Sequence, residues 1–287
     1  MPFYVYNIRV VTRSIFIFLL AVNIPQHLYA QVCPSEASIS SCKQWEDDFT
    51  RENKIYSALF SIWDSIKPKK HNCDNFSKKW KTLRAKFPNI PGEGLVYPAG
   101  HSFPLDNSDA VIDHLCKWEV DQSDLKGMSI EEITAIHTFT HDGFLELNSF
   151  LRTGKSSASD NKSLIWFSQL IKSALRKLPV YRGWVRRGTK LPDAILDQYR
   201  PGKIVSDRAF VSTASKYADF EHQEDLSRFA KYPHQMLIYS KRGRDVRLLS
   251  DIPMEHEVLF DSNTKFKVLC RELRGANGML IVLEESD

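Results

Sequence analysis

From Val180 to the end of the chain, the sequence is a succession of short β-rich runs, and every clear helical pattern comes before them. The runs are Val180–Val185, Lys203–Thr213, Met236–Lys241, Arg244–Leu249, Glu257–Phe260, Phe266–Glu272 and Met279–Glu284, rich in branched and aromatic residues and separated by turn formers. Helices first and strands afterwards predict an α+β fold with a largely antiparallel sheet. No strand–helix alternation and no Gly-x-Gly-x-x-Gly is found, which excludes a doubly wound dinucleotide fold, and nothing repeats internally.

The helices are read from caps and periodicity. Ser129 with Glu132 three positions later forms a capping-box pattern, followed by Ile133, Ile136 and Thr140 on one face. A second helix carries Phe144, Leu147, Asn148 and Leu151 and stops at Gly154. After a polar loop, Leu164–Leu178 forms a third, closed by Lys177 and Pro179. Upstream, Trp45, Phe49, Tyr56, Leu59, Phe60, Trp63 and Ile66 recur mostly at three- and four-residue steps until Pro68, and a short helix is predicted over Phe76–Phe87. Leu95–Asp109 reads as loop with one strand.

At the N-terminus, Arg9 and Arg13 precede the short apolar run Ser14–Val22 and then Leu28-Tyr29-Ala30, the pattern of a signal peptide cut after Ala30. The expected organisation is a signal peptide over 1–30, a mainly helical, disulfide-containing region over 31–122, and a catalytic domain over 123–287. The product is expected to be secreted, without stable membrane insertion, since the apolar run is too short to span a bilayer comfortably. The cut takes two arginines from 39 basic side chains and leaves 37 against 35 acidic ones, a balance with no nucleic-acid footprint. Of the five cysteines, Cys33, Cys42, Cys73 and Cys116 are expected to form two bridges within residues 31–120, leaving Cys270 single and buried in an apolar strand. No Cys-x-x-Cys or paired Cys/His spacing suggests zinc, and His137 and His141, four apart, lack the glutamate of a metalloprotease helix, so no metal is predicted.

Glu255-His256-Glu257 precedes the apolar Val258-Leu259-Phe260. In an extended segment, residues two apart share a side, so the two carboxylates are expected to face one cleft. That suits glycosyl transfer, in which one acid stabilises an oxocarbenium-like centre and the other serves the nucleophile. Alone the pair also fits a solvated strand end, Arg182 in its strand fits a surface residue, and Ser212-Thr213 fits a strand terminus. Converging on one cleft, the three would suit a dinucleotide with two phosphates and a labile N-glycosidic bond.

Together these motifs resemble the mono-ADP-ribosyltransferases of the arginine-modifying group, with their Arg / Ser-Thr-Ser / Glu-x-Glu signature, known among bacterial toxins and secreted eukaryotic relatives. Met128–Gly154 is similar to the family's opening helices, Leu178–Gly183 to its arginine strand, Phe210–Ala214 to its Ser-Thr-Ser strand, and Gly243–Val246, Glu257–Phe260 and Thr264–Val268 to the catalytic loop and flanking strands, so 128–287 is covered in order. Ala214 departs from the third serine and Phe139 from a common tyrosine. The resemblance implies opening helices, then a mostly antiparallel two-sheet core. It implies NAD+ as co-substrate and a protein bearing an acceptor arginine as partner. Arg182 and Gly183 would hold NAD phosphate, Ser212 and Thr213 would support Glu257, and Tyr217 or Phe220 would stack on nicotinamide. Glu257 would stabilise the ribosyl cation, and Glu255 would orient and deprotonate the acceptor guanidinium. An NAD glycohydrolase using the same site and an inactive binding module are the alternatives.

Overall fold

The computed structural model describes residues 42–51, 95–96, 102–103, 111, 115, 125, 127–155, 161–215, 231–275 and 278–287. Outside them lie the expected signal peptide, the helix predicted over Phe76–Phe87, Cys33, Cys73, Cys116, Tyr217 and Phe220.

Helix α1 (Ile130–Thr138) starts with the expected capping box: Ser129 Oγ accepts the Glu132 N–H at 3.3 Å and Glu132 Oε2 accepts the Ser129 N–H at 2.7 Å. Glu132 is buried and also receives Ser173 Oγ at 2.6 Å and Lys177 Nζ at 2.7 Å, both from α3 (Asn161–Lys177). Burial raises the pKa of this carboxyl, but the bonds from Lys177, Ser173 and Ser129 outweigh it and leave it below the ordinary value. The two opening helices are one continuous rod. A π-helical turn, Phe139–Gly143, joins α1 to α2 (Phe144–Thr153), which ends at Gly154 with φ 74°. Ile133, Ile136, Phe139, Leu147, Phe167 and Ile171 pack with Phe210, Leu249 and Leu259 into one core.

The first strands, β1 (Leu95–Val96) and β2 (Ser102–Phe103), pair as a small antiparallel ribbon. The main sheet comprises β3 (Gly183–Thr189), β4 (Ile204–Ser206), β5 (Val211–Ala214), β6 (His234–Ser240), β7 (Arg244–Asp245), β8 (Glu257–Phe260), β9 (Lys265–Arg274) and β10 (Gly278–Ser286). Their order is β4-β9-β10-β6-β3-β5-β8-β7. All neighbours are antiparallel except β6 and β10, which run parallel with Ile281 opposite Met236. The implied two sheets are here one hydrogen-bonded ladder, narrowed to a single pair, Arg186 opposite Ala214, between β3 and β5. The ladder folds over on itself. Phe260 on β8 and Phe266 on β9 would be about 24 Å apart on a flat sheet, yet their rings lie 5.2 Å apart. They belong to a second core with Val185, Val211, Ile238 and Ile281.

Several segments differ from expectation. Lys203–Thr213 is two strands in different parts of the sheet, because Asp207 Oδ1 accepts the Ala209 N–H at 2.9 Å and makes a turn between them. Only Arg244–Asp245 of the Arg244–Leu249 run is strand, and a short helix α4 (Asp193–Leu196) follows Pro192.

Cys270 is not single: it is disulfide-bonded to Cys42, with Cα atoms 5.7 Å apart across a sequence separation of 228. The reason is a bulge. Leu283 pairs with Val268 and Val282 with Cys270, so β9 carries one extra residue at Leu269. The bulge reverses the alternation: Phe266 and Val268 enter the core, whereas Cys270, Glu272 and Arg274 share the opposite face. All three hold the helical segment 43–51 and the residue before it. Cys270 makes the disulfide, Glu272 Oε2 accepts the Cys42 N–H at 3.1 Å, and Arg274 Nη2 donates to Glu46 Oε2 at 2.6 Å. Trp45 completes the contact against Trp184 of β3, ring centroids 5.6 Å apart. Among the described residues, no helix is long and apolar enough to cross a membrane.

Candidate active site

The pairing of β5 with β8 puts Ala214 opposite Glu257 and Ser212 opposite Leu259. Ser212 therefore lies one step along from Glu257 on the same face, and its Oγ donates to Glu257 Oε1 at 2.6 Å. The other oxygen, Oε2, accepts Ser250 Oγ at 2.7 Å. Glu257 is 5% exposed. Burial pushes its carboxyl pKa up to about 7, against the downward pull of the two serine hydroxyls, while the Glu255 charge raises it and Arg187 lowers it.

The strand bearing Ser212 is itself fixed from both sides. Thr213 Oγ1 donates to Val258 O at 2.7 Å, and Arg187 Nη1 from β3 donates to Ser212 O at 2.7 Å. Asn148 of α2 anchors its start, giving Nδ2–H to Phe210 O at 3.2 Å and accepting the Phe210 N–H at 3.1 Å.

Glu255 and Glu257 are not neighbours on one extended strand. Pro253–Glu255 is a 3-10 turn, and the next residue, His256, is left-handed with φ 48° and ψ 55°. Pro253 starts the turn by fixing its own φ, and the His256 N–H closes it on Pro253 O at 3.0 Å. Glu255 is half-buried at the end of this turn, close enough for its charge to raise the pKa of Glu257. The His256 carbonyl accepts both Ser215 N–H at 3.1 Å and Ser215 Oγ at 2.9 Å.

Arg182 is exposed and sits one residue ahead of β3 rather than within it. Its backbone neighbourhood is anchored to the β6–β7 turn: the Tyr181 N–H donates to Gly243 O at 2.7 Å, and Ser240 Oγ donates to Tyr181 O at 2.9 Å. Gly183 is buried with φ 146°, a conformation that glycine alone adopts cheaply. The guanidinium of Arg182 hydrogen-bonds none of Ser212, Thr213 or Glu257. The structure thus bonds Ser212 directly to Glu257, ties Thr213 to the carbonyl of the next residue, Val258, and places Glu255 close enough to act on Glu257 through its charge. Ser250, Ser215 and Arg187 were not singled out in the sequence, where nothing distinguishes them from other serines and strand arginines. Among the described residues, no group of three or more His, Cys, Asp or Glu is placed to hold a metal ion. His137 instead gives its Nδ1–H to Leu249 O at 3.0 Å.

Residues 116–285 match the family profile described as ADP-ribosyltransferase exoenzyme. The protein Mav of Mycobacterium avium (strain 104), provisionally named an NAD(+)–arginine ADP-ribosyltransferase, is 32% identical over 202 residues, covering 68% of this chain and 23% of that protein. The NAD(+)–protein-arginine ADP-ribosyltransferase Tre1 of Serratia proteamaculans (strain 568) is 34% identical over 152 residues, covering 52% of this chain and 31% of that protein. The chain therefore spans less than a third of the length of either relative. Among solved structures, the type III effector XopAI of Xanthomonas axonopodis pv. citri superposes with a TM-score of 0.53 at 23% identity, covering 76% of this chain and 96% of the effector, a likeness of fold. With its profile matched across the opening helices and the folded-over sheet, the chain belongs to the ADP-ribosyltransferase exoenzyme family.

Proposed function

We propose that this chain is a mono-ADP-ribosyltransferase that transfers ADP-ribose from NAD+ to an arginine side chain of a target protein and releases nicotinamide. The observation that carries the reading is the buried Glu257 carboxyl, gripped at one oxygen by Ser212 and at the other by Ser250, with Glu255 beside it. The family profile and the names of the relatives support the same chemistry.

The residues present suit the dinucleotide. Arg182, exposed and unbonded to the glutamate unit, offers a planar fork to a phosphate oxyanion, and Gly183 lets the backbone approach closely. Tyr217 or Phe220 is assigned the aromatic contact with nicotinamide. Ser212 fixes Glu257 directly and Thr213 supports its strand through the Val258 carbonyl, and the Glu257 carboxylate stabilises the positive charge that develops at the ribose C1′. In this step the bond from C1′ to the nicotinamide nitrogen breaks and its electron pair leaves with nicotinamide. A guanidinium nitrogen then bonds C1′ and gives its proton to Glu255, which is needed because free arginine has a pKa above about 12.

Hydrolysis at the same site is the second reading. It is favoured by the way Ser212 and Ser250 hold Glu257 without help from Glu255. Export is also proposed, supported by the N-terminal pattern and by the Cys42–Cys270 disulfide, a bond at home in oxidising compartments. Incubating the protein with labelled NAD+ and agmatine, a soluble arginine mimic, tests the function. ADP-ribosyl-agmatine is the expected product; nicotinamide release without it would favour hydrolysis, and no turnover would favour a binding module.

A further inference from the structure

The second grip on Glu257 comes from a loop that the Arg / Ser-Thr / Glu-x-Glu pattern does not include. Ser250 lies seven residues before Glu257, is 1% exposed, and donates its hydroxyl to Oε2 at 2.7 Å. Its two neighbours are tied to the helical layer. His137 of α1 gives Nδ1–H to Leu249 O at 3.0 Å. On the other side, Thr140 Oγ1 accepts the Asp251 N–H at 3.0 Å while donating to His137 O at 2.9 Å. His141 Nδ1 meets Asp251 Oδ2 at 3.2 Å. Thr140 and His141 both belong to the π-helical turn, an irregularity that recurs at functional sites. The loop also closes on itself, with the Leu249 and Ser250 N–H groups on Val246 O at 2.8 and 2.9 Å.

We infer that Ser250 is a second positioning residue for Glu257: clamped between His137 and Thr140, it fixes Oε2 as Ser212 fixes Oε1, and so sets both the orientation and the charge state of the carboxylate. The inference rests on the proposed role of Glu257 in ADP-ribosyl transfer. A single bond at Oε1 leaves the carboxylate free to swing about it; two bonds to separate elements do not. Both hydroxyls donate, so both favour the ionised form against burial. The other charges bearing on Glu257 are Glu255 in the 3-10 turn and Arg187 on β3. His256 adjoins it, and burial holds His137 of α1 below the ordinary histidine pKa, which favours the neutral Nδ1–H form.

The test measures the group itself before measuring turnover. The Glu257 side-chain carboxyl carbon is followed by 13C NMR across pH in the free protein and in Ser250→Ala, Ser250→Thr and Thr140→Val. The expected result is a midpoint raised by about one pH unit in Ser250→Ala, as follows from losing one bond to a charged group. Ser250→Thr, which keeps the hydroxyl, stays near the parent; Thr140→Val moves the same way by less. NAD+ cleavage at about pH 7 falls roughly ten-fold in Ser250→Ala and is largely restored in Ser250→Thr, with the acidic limb of the rate profile following the titration. A Ser250→Ala protein that titrates and cleaves as the parent does, or a Ser250→Thr protein as impaired as Ser250→Ala, overturns the inference. Should Ser250→Ala not fold, an unmoved midpoint in Thr140→Val does the same. A parent protein that cleaves no NAD+ while the midpoint still rises in Ser250→Ala would sink the transferase reading and leave the clamp standing.

Discussion

The hydroxyl of Ser215 donates to the carbonyl of His256 at 2.9 Å, and the Ser215 N–H reaches the same oxygen at 3.1 Å. The signature expects its last serine one position earlier, at Ala214, which faces Glu257 across the β5–β8 pair and has no hydroxyl to give. Ser215 ties the strand end to the residue between the two glutamates instead. That residue is left-handed, a conformation that persists in a histidine only when the surroundings hold it.

Ser215→Ala should therefore lose about 1 kcal/mol of stability and several-fold in agmatine modification, because the 3-10 turn presenting Glu255 loosens. Urea unfolding and the agmatine assay check the two effects. A variant equal to the parent in both would mean that the backbone bond alone secures the turn.

The disulfide predicts a redox-dependent stability. Non-reducing proteolysis with mass spectrometry should yield a peptide containing Cys42 joined to one containing Cys270, and not Cys42 joined to another N-terminal cysteine. Replacing Cys270 with serine should lower the melting temperature by roughly 5–10 °C, since the bridge closes a long loop and its removal costs about 3 kcal/mol. An unchanged melt would show that Trp45, Glu46 and Arg274 hold the segment without it.

Glu257 makes stability fall with rising pH. Its folded pKa of about 7 lies above the ordinary 4.5, so the native state binds the proton more tightly than the unfolded chain. The stability that this group contributes is present at low pH and is lost as pH rises from the unfolded value through the folded one. Glu257→Gln, which removes the charge, should match the parent at about pH 4 and exceed it by about 3 kcal/mol at most near pH 8. Denaturant unfolding at both pH values measures the gap; a gap of the same size at each would refute the assigned burial cost.

Glu132 acts with the opposite sign. Its lowered pKa stabilises the fold above the ordinary carboxylate range and is lost as pH falls through the folded value. Glu132→Ala removes the bonds to Ser129, Ser173 and Lys177 together and should cost about 2–3 kcal/mol at neutral pH. Loss below about 1 kcal/mol would mean that the Lys177 pair is solvent-screened and the cap contributes little.

What could be read in the sequence was local. The Ser129–Glu132 box and the Gly154 stop depend on residues a few positions apart, and the structure has both. The Ser212–Glu257 contact was legible only through resemblance, because 45 residues separate the partners. The geometry of Glu255 was misread because alternation assumes an extended chain, while Pro253 starts a turn there. The pairing of Cys270 is hidden in the sequence because four cysteines cluster within residues 31–120, while its partner Cys42 lies 228 residues away and only the bulge at Leu269 turns Cys270 to the face that meets it. Ser250 carried no signal at all: its position depends on His137, 112 residues from Leu249 in sequence.

The most direct measurement compares Glu255→Gln and Glu257→Gln for nicotinamide release and for ADP-ribosyl-agmatine formation from labelled NAD+. Glu257→Gln should lose both activities by about two to three orders of magnitude, as expected when a preorganised charge is removed. Glu255→Gln should lose agmatine modification and retain nicotinamide release. Nicotinamide release by Glu257→Gln near the parent rate would mean that the serine-held carboxylate of Glu257 does not stabilise the ribosyl cation.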